Sequence, residues 1–153
     1  MLDAQGIVRL AEADKSAFAW ARRTDALGGD IVTAASTLAA VLRGGARDPR
    51  IHRILRRVTV VEIDKSVGRK AGELLGATGM SGHRCTVDAL LAAVALAQRR
   101  PVILLTSDPD DLARLTEEPD RSKRERIAVI KLYVGAGAGS RPRLRRRTRV
   151  CLC

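Results

Sequence analysis

The chain has 153 residues, with 28 Lys/Arg against 17 Asp/Glu and a formal charge of +11, a length that supports one compact domain and argues against a two-domain enzyme. Hydrophobic residues make up 46% of it, yet Phe18, Trp20 and Tyr133 are the whole aromatic complement, which gives an aliphatic core and argues against modules that stack bases on aromatic platforms. No run of 18 apolar residues occurs and an acid, Asp3, stands where a signal peptide needs basic residues, so the expectation is a cytoplasmic protein that is neither secreted nor membrane-spanning.

Short β-branched runs alternate with longer stretches of helical period, the pattern of a parallel sheet covered by helices. In chain order the expected elements are a strand ending at Leu2, a helix over about 7–26, a strand over 30–33 and helices over 34–43 and 49–57. A strand over 58–63, a helix over 65–77, a helix over 86–99, a strand over 102–106, a helix over 109–116 and a strand over 127–132 follow. Gly44-Gly45 and Arg99-Arg100-Pro101 supply breaks between them. Residues 1–133 therefore read as one α/β domain. Residues 134–153 read as a basic, disordered tail, because they carry six arginines and no acid and have no apolar periodicity. Without that tail the net charge is only +5. Val134-Gly-Ala-Gly-Ala-Gly139 resembles a dinucleotide loop, but no helix and strand follow it. Cys85, Cys151 and Cys153 have no disulfide-framework spacing, which fits a reducing compartment.

Ligands of open parallel sheets bind beyond the carboxyl ends of the strands. Asp3 follows the first strand and Asp108 follows Val102–Ser107, so both acids belong to that edge. Asp88 lies in the expected first turn of the helix opened by Thr86, and could reach the same crevice. Each acid also has a purely structural reading: Asp3 as a solvated end residue, Asp88 as a helix-start acid, and Asp108 as the cap before Pro109, with Asp110 and Asp111 favoured by the helix dipole. If they converge, two carboxylates about 4 Å apart repel by roughly 4 kcal/mol at an effective dielectric of about 20, and a cation is needed. Oxygen ligands alone select Mg²⁺ or Mn²⁺, which can activate water against a phosphodiester. Arg50, Arg53 and Arg57, spaced by three and four, are expected to share one helical face and to hold nucleic-acid phosphates, or else to form a solvated stripe.

Leu2-Asp-Ala4, Ser36-Thr-Leu-Ala-Ala-Val-Leu-Arg-Gly-Gly45, Val87-Asp-Ala-Leu-Leu91 and Leu105-Thr-Ser-Asp-Pro-Asp-Asp-Leu112 stand in the order and spacing of a known family. Over most of residues 1–132 the chain resembles the PIN-domain ribonucleases, especially the toxin subunits of bacterial toxin-antitoxin pairs. The resemblance implies a three-layer α/β/α sandwich around a small parallel sheet, Mg²⁺ or Mn²⁺ as cofactor, RNA cleavage, and inhibition by a cognate antitoxin; apolar positions such as Leu10, Phe18, Leu38 and Val41 read as core or as the face of a homodimer or antitoxin. It places the family's metal-holding, catalytic acids on Asp3, Asp88 and Asp108. The family's remaining acid, a Glu, falls on Ala40, which implies a thinner metal cage and, as the alternative, an impaired module that binds nucleic acid or a protein without cutting. Only Met1 and Leu2 precede Asp3, so the first strand is expected to be truncated and the fold less stable for it.

Overall fold

The computed structural model describes residues 1–132. Two pairs of parallel strands form its centre. The first pair is β1 (Val32–Ala34) with β2 (Thr59–Val61), and the second is β3 (Ile103–Thr106) with β4 (Ala128–Lys131). The segment Met1–Asp3 lies between β1 and β3 and ties the pairs together. Leu2 N–H donates to the Val32 carbonyl (2.9 Å), Leu105 N–H to that of Met1 (3.0 Å), and Asp3 N–H to that of Leu105 (3.3 Å). Leu2 makes a single parallel bridge to Leu105, so the expected first strand is present only as this one bridging residue.

Side-chain alternation along the strands sends residues to opposite faces and fixes three layers. Leu2 and Leu105 join Ile7, Leu10, Val41 and Ile51 in one core, beneath α1 (Ala4–Ala11), α2 (Lys15–Ala26), α3 (Ala35–Val41) and α4 (Asp48–Leu55). Ala34 and Leu104 face the other way, against Leu91, Val94 and Leu112 of α6 (Gly82–Ala97) and α7 (Pro109–Leu115). A third cluster joins α5 (Lys65–Thr78) to α6 through Ala71, Ala89 and Ala92, where small side chains allow close helix packing. The α/β/α sandwich implied by the resemblance is thus the observed fold. The residues assigned to a tail, with Tyr133, the glycine loop, Cys151 and Cys153, lie outside the described residues.

Two helix assignments are corrected. The helix expected over 7–26 is two helices, broken where Ala13 adopts a left-handed backbone (φ 59°) and Asp14 starts the second by accepting the N–H groups of Ser16 and Ala17, both at 3.0 Å. Asp14 is a stronger local signal than the apolar period that runs across it. The helix expected to open at Thr86 opens at Gly82 instead, and the Thr86 hydroxyl donates back to the Gly82 carbonyl rather than capping. Asp88 is therefore in the second turn of α6 and not its first, and His83 is an exposed residue of that helix rather than of the preceding loop.

Gly6 sits where α1 presses onto the bridging segment. A Cβ there would lie 3.1 Å from Leu2 Cδ2, 3.3 Å from Asp3 Oδ1 and 3.3 Å from the Leu105 carbonyl oxygen. Backbone and a hydrogen-bonded carboxylate cannot give way cheaply. Gly6→Ala is expected to lower the melting temperature although Ala is a better helix former by about 1 kcal/mol. A rise in melting temperature would show that the close approach is unnecessary.

Candidate active site

Asp3 sits at the carboxyl edge of the bridging segment and is only 9% exposed, so it is not a solvated end residue. Its carboxylate caps α1, accepting the Gly6 N–H at 2.6 Å. Burial raises its pKa, and hydrogen bonds from the Thr106 hydroxyl and from the Gly6 and Gln5 backbone, with the charge of Arg9, pull it back down. Asp108 follows β3 on the neighbouring strand. It occupies the cap position of α7, but its side chain makes no capping bond, so the capping explanation fails for its carboxylate. The loop is held instead by Asp108 N–H donating to Thr106 Oγ1 at 3.0 Å. Thr106 is buried at the end of β3 and links the two acids, a role that sequence reading had not given it.

Asp88 reaches this edge from α6. Its carboxyl is pushed up to about 6, first by burial and then by the charges of Asp3, Asp111 and Asp108. The three sequence-predicted acids therefore fall within one electrostatic neighbourhood, and Asp111 joins them. Asp111 is half-buried on α7, and the Cys85 thiol lies 4.0 Å from its Oδ2. Cys85 is one turn before Asp88, so α7 holds Asp111 over the same face of α6. Its place three residues after Asp108 was the available sequence signal, masked by the ordinary preference for acids in a first helical turn.

The donor set is all oxygen, anionic and mutually repelling, which fits a hard divalent cation in kind. Among the described residues, however, no three His, Cys, Asp or Glu side chains stand close enough to share an ion as placed. A bound cation would have to draw the carboxyl groups inward. Ala40, half-buried on α3, contributes no donor.

The basic residues are arranged differently from the expectation. Arg50 and Arg53 are exposed on α4, but the helix ends at Leu55 and Arg57 lies beyond it. Arg57 thus does not continue their face, and its guanidinium stands 3.5 Å from Asp25. His52 is exposed on α4 as well. Among the described residues no helix is long and apolar enough to cross a membrane.

A family model described as PIN domain matches residues 1–118. The matched region contains Asp3, Ala40, Asp88, Asp108 and Asp111, and ends before β4. Among curated proteins, none matches the chain.

The raised pKa of Asp88 has a thermodynamic consequence. Its folded value of about 6 stands above the ordinary 3.8, so the folded chain binds the proton more tightly than the unfolded chain. The stability this contributes is complete below 3.8 and is lost as pH rises through about 6. Asp88→Asn removes the ionisation. In chelator, the variant is expected to melt above the native chain at pH 7 to 8, with the gap closing near pH 4; equal melting throughout would show that Asp88 is not under repulsion. Asp3→Asn should melt close to the native chain because Asn still caps, whereas Asp3→Ala should lose about 1 kcal/mol.

Proposed function

Because the chain belongs to the PIN domain family, whose members are generally nucleases, we propose that it is a Mg²⁺- or Mn²⁺-dependent endoribonuclease, with Asp3, Asp88 and Asp108 as its metal-holding, catalytic acids. The observation that carries this reading is Asp88, half-buried at the sheet edge and placed under the charges of Asp3, Asp111 and Asp108. A folded chain that keeps such repulsion has a use for a cation there. When bound, the ion supplies a more acidic water and neutralises charge on the phosphodiester during in-line displacement. Asp3 keeps one orientation through its bond from Gly6 and the Thr106 hydroxyl. Asp108 is free to turn toward a ligand because it caps nothing. A bound cation would favour the Asp88 carboxylate and bring its raised pKa back down, since an adjacent positive charge stabilises the ionised form.

Arg50 and Arg53 hold RNA phosphates on the exposed side of α4, and Arg57 joins them by releasing Asp25. A toxin role with a cognate antitoxin, or self-association, belongs to the same reading. Its support is a cavity of about 180 Å³ lined by Leu10, Ala21, Ile31, Ile54 and Val58, beside the partly exposed Phe18. Ala40 and the open spacing of the acids favour a second reading, a module that binds nucleic acid or a protein without cleaving.

Incubation with a mixed RNA pool separates the two. The first reading expects cleavage in Mg²⁺ or Mn²⁺, none in chelator, and a loss of about 100-fold in Asp88→Asn. Cleavage that survives chelator or the substitution would refute the metal chemistry, and RNA binding without cleavage would select the second reading. Cleavage of DNA in preference to RNA would move the substrate. Arg50→Ala and Arg53→Ala are each expected to weaken RNA binding for all sequences and to lower the salt slope by about 0.7. An unchanged slope would remove α4 from the RNA path.

A further inference from the structure

Ile31 and Val58 stand immediately before the parallel strands β1 and β2, at the amino ends of the strands and so on the sheet edge opposite the acids. There α1, α2 and α4 leave a cavity of about 180 Å³. Leu10 of α1, Ala21 of α2, Ile54 of α4, Ile31 and Val58 give it an apolar wall, and Phe18 stands partly exposed beside it. Its charged lining is Arg22, Asp25 and Arg57. Arg22 and Asp25 occupy exposed positions of α2, and Arg57 follows α4. Arg57 approaches Asp25 only to 3.5 Å, with both side chains more than half exposed, and such a pair contributes little in water. Two cations and one loosely held anion thus stand over an apolar interior.

An apolar cavity of roughly 150 Å³ is enough to take up benzene, so this one has room for a six-membered ring or a short aliphatic chain. It is smaller than the roughly 300–1,000 Å³ of sites for drug-sized ligands, which points to a compact molecule. We propose that the cavity is a binding site for a small apolar monocarboxylate, an arylacetate or a short-chain aliphatic acid, with its hydrocarbon inside the cavity and its carboxylate on the Arg57 and Arg22 guanidinium groups. The ligand acid takes the place of Asp25 on Arg57. A loose surface pair is exchanged for one whose anion is held in position by the burial of its own hydrocarbon. The net positive rim disfavours an organic cation, and a neutral hydrocarbon leaves both guanidinium groups unused. The site stands apart from the cation reading, because the acids lie at the other ends of the strands. A second copy of the chain seated on Phe18 would compete for the same mouth.

Trp20, the only tryptophan of the chain, lines an adjoining crevice that shares Leu10, Ala21 and Ile31 with the cavity, so its emission reports occupancy. The test is titration of the full chain with phenylacetate and with its neutral isostere phenylacetamide, read by Trp20 fluorescence and by melting temperature. Inorganic phosphate serves as an anion with no hydrocarbon body. Phenylacetate is expected to saturate and to raise the melting temperature, phenylacetamide to bind about 10-fold more weakly, and phosphate not to compete. With Arg22→Gln and Arg57→Gln combined, acid and amide should bind alike. Asp25→Asn should bind phenylacetate more tightly, because the competing anion on Arg57 is gone. Ala21→Leu fills the cavity and should abolish binding; the acid and amide comparison on the native chain and the rim variants decides the matter even where this variant does not fold. No saturable binding of phenylacetate by the native chain, equal binding of acid and amide, or an acid preference that survives loss of both arginines would overturn the proposal. A stable dimer that takes up no phenylacetate would overturn it in favour of a second copy over Phe18.

Discussion

The backbone of Met1–Asp3 is hydrogen-bonded on both edges, to Val32 on one side and to Leu105 on the other. Sheet continuity depends on those bonds, since among the described residues β1 with β2 and β3 with β4 are otherwise separate pairs. The same three residues place the side chain that caps α1 and stands at the strand edge. Stability and chemistry are therefore tied to one short stretch of chain. Gly6 belongs to that constraint because it lets the helix descend onto Leu2 and the Asp3 carboxylate without a methyl group intervening.

Aspartates elsewhere in the chain show what the edge acids lack. Asp14 and Asp64 both start helices, and hydrogen bonds from nearby serines and backbone N–H groups hold their carboxyls below the usual range. They stabilise the fold as anions. Asp88 is pushed in the opposite direction by burial and like charge, in the middle of a helix where it caps nothing. Asp3 stands between these cases, since it is both a cap and a buried acid, and its hydrogen bonds offset part of its desolvation. One residue type thus meets two environments: acids that meet donors build helices as anions, and an acid that meets burial and other acids is held above its ordinary pKa.

Much of this was legible in the sequence because it rests on local chemistry. The alternation of β-branched runs with helical periods identified the strands within a few residues, and Asp3 and Asp108 were placed on one edge by their position after strands. What escaped was set by competition between local signals. Apolar period carried the expected first helix through Asp14, where capping wins. Thr86 looked like a cap, but α6 extends one further turn to Gly82 and packs broadly on α5. That extra turn moves Asp88 inward along its helix. Arg57 has the right spacing for the face of Arg50 and Arg53, yet spacing has no meaning beyond the end of α4, and Asp25 holds it elsewhere. Thr106 and Asp111 could not be singled out because their roles exist only across elements brought together by the fold.

In the proposed cation site, Ala40 stands where the family pattern implies a Glu, and that changes the balance in a definite direction. A carboxylate at that position would strengthen the attraction for a cation, and would also add to the repulsion already acting on Asp88 when no cation is present. Removing it relaxes the empty site and weakens the filled one. On the proposed reading the edge carries less charge than the family pattern implies, and Asp88 has one less charged neighbour to raise its pKa. On the proposed cation reading, metal affinity and apo stability depend on the same group of acids, and Ala40 trades some of the former for the latter.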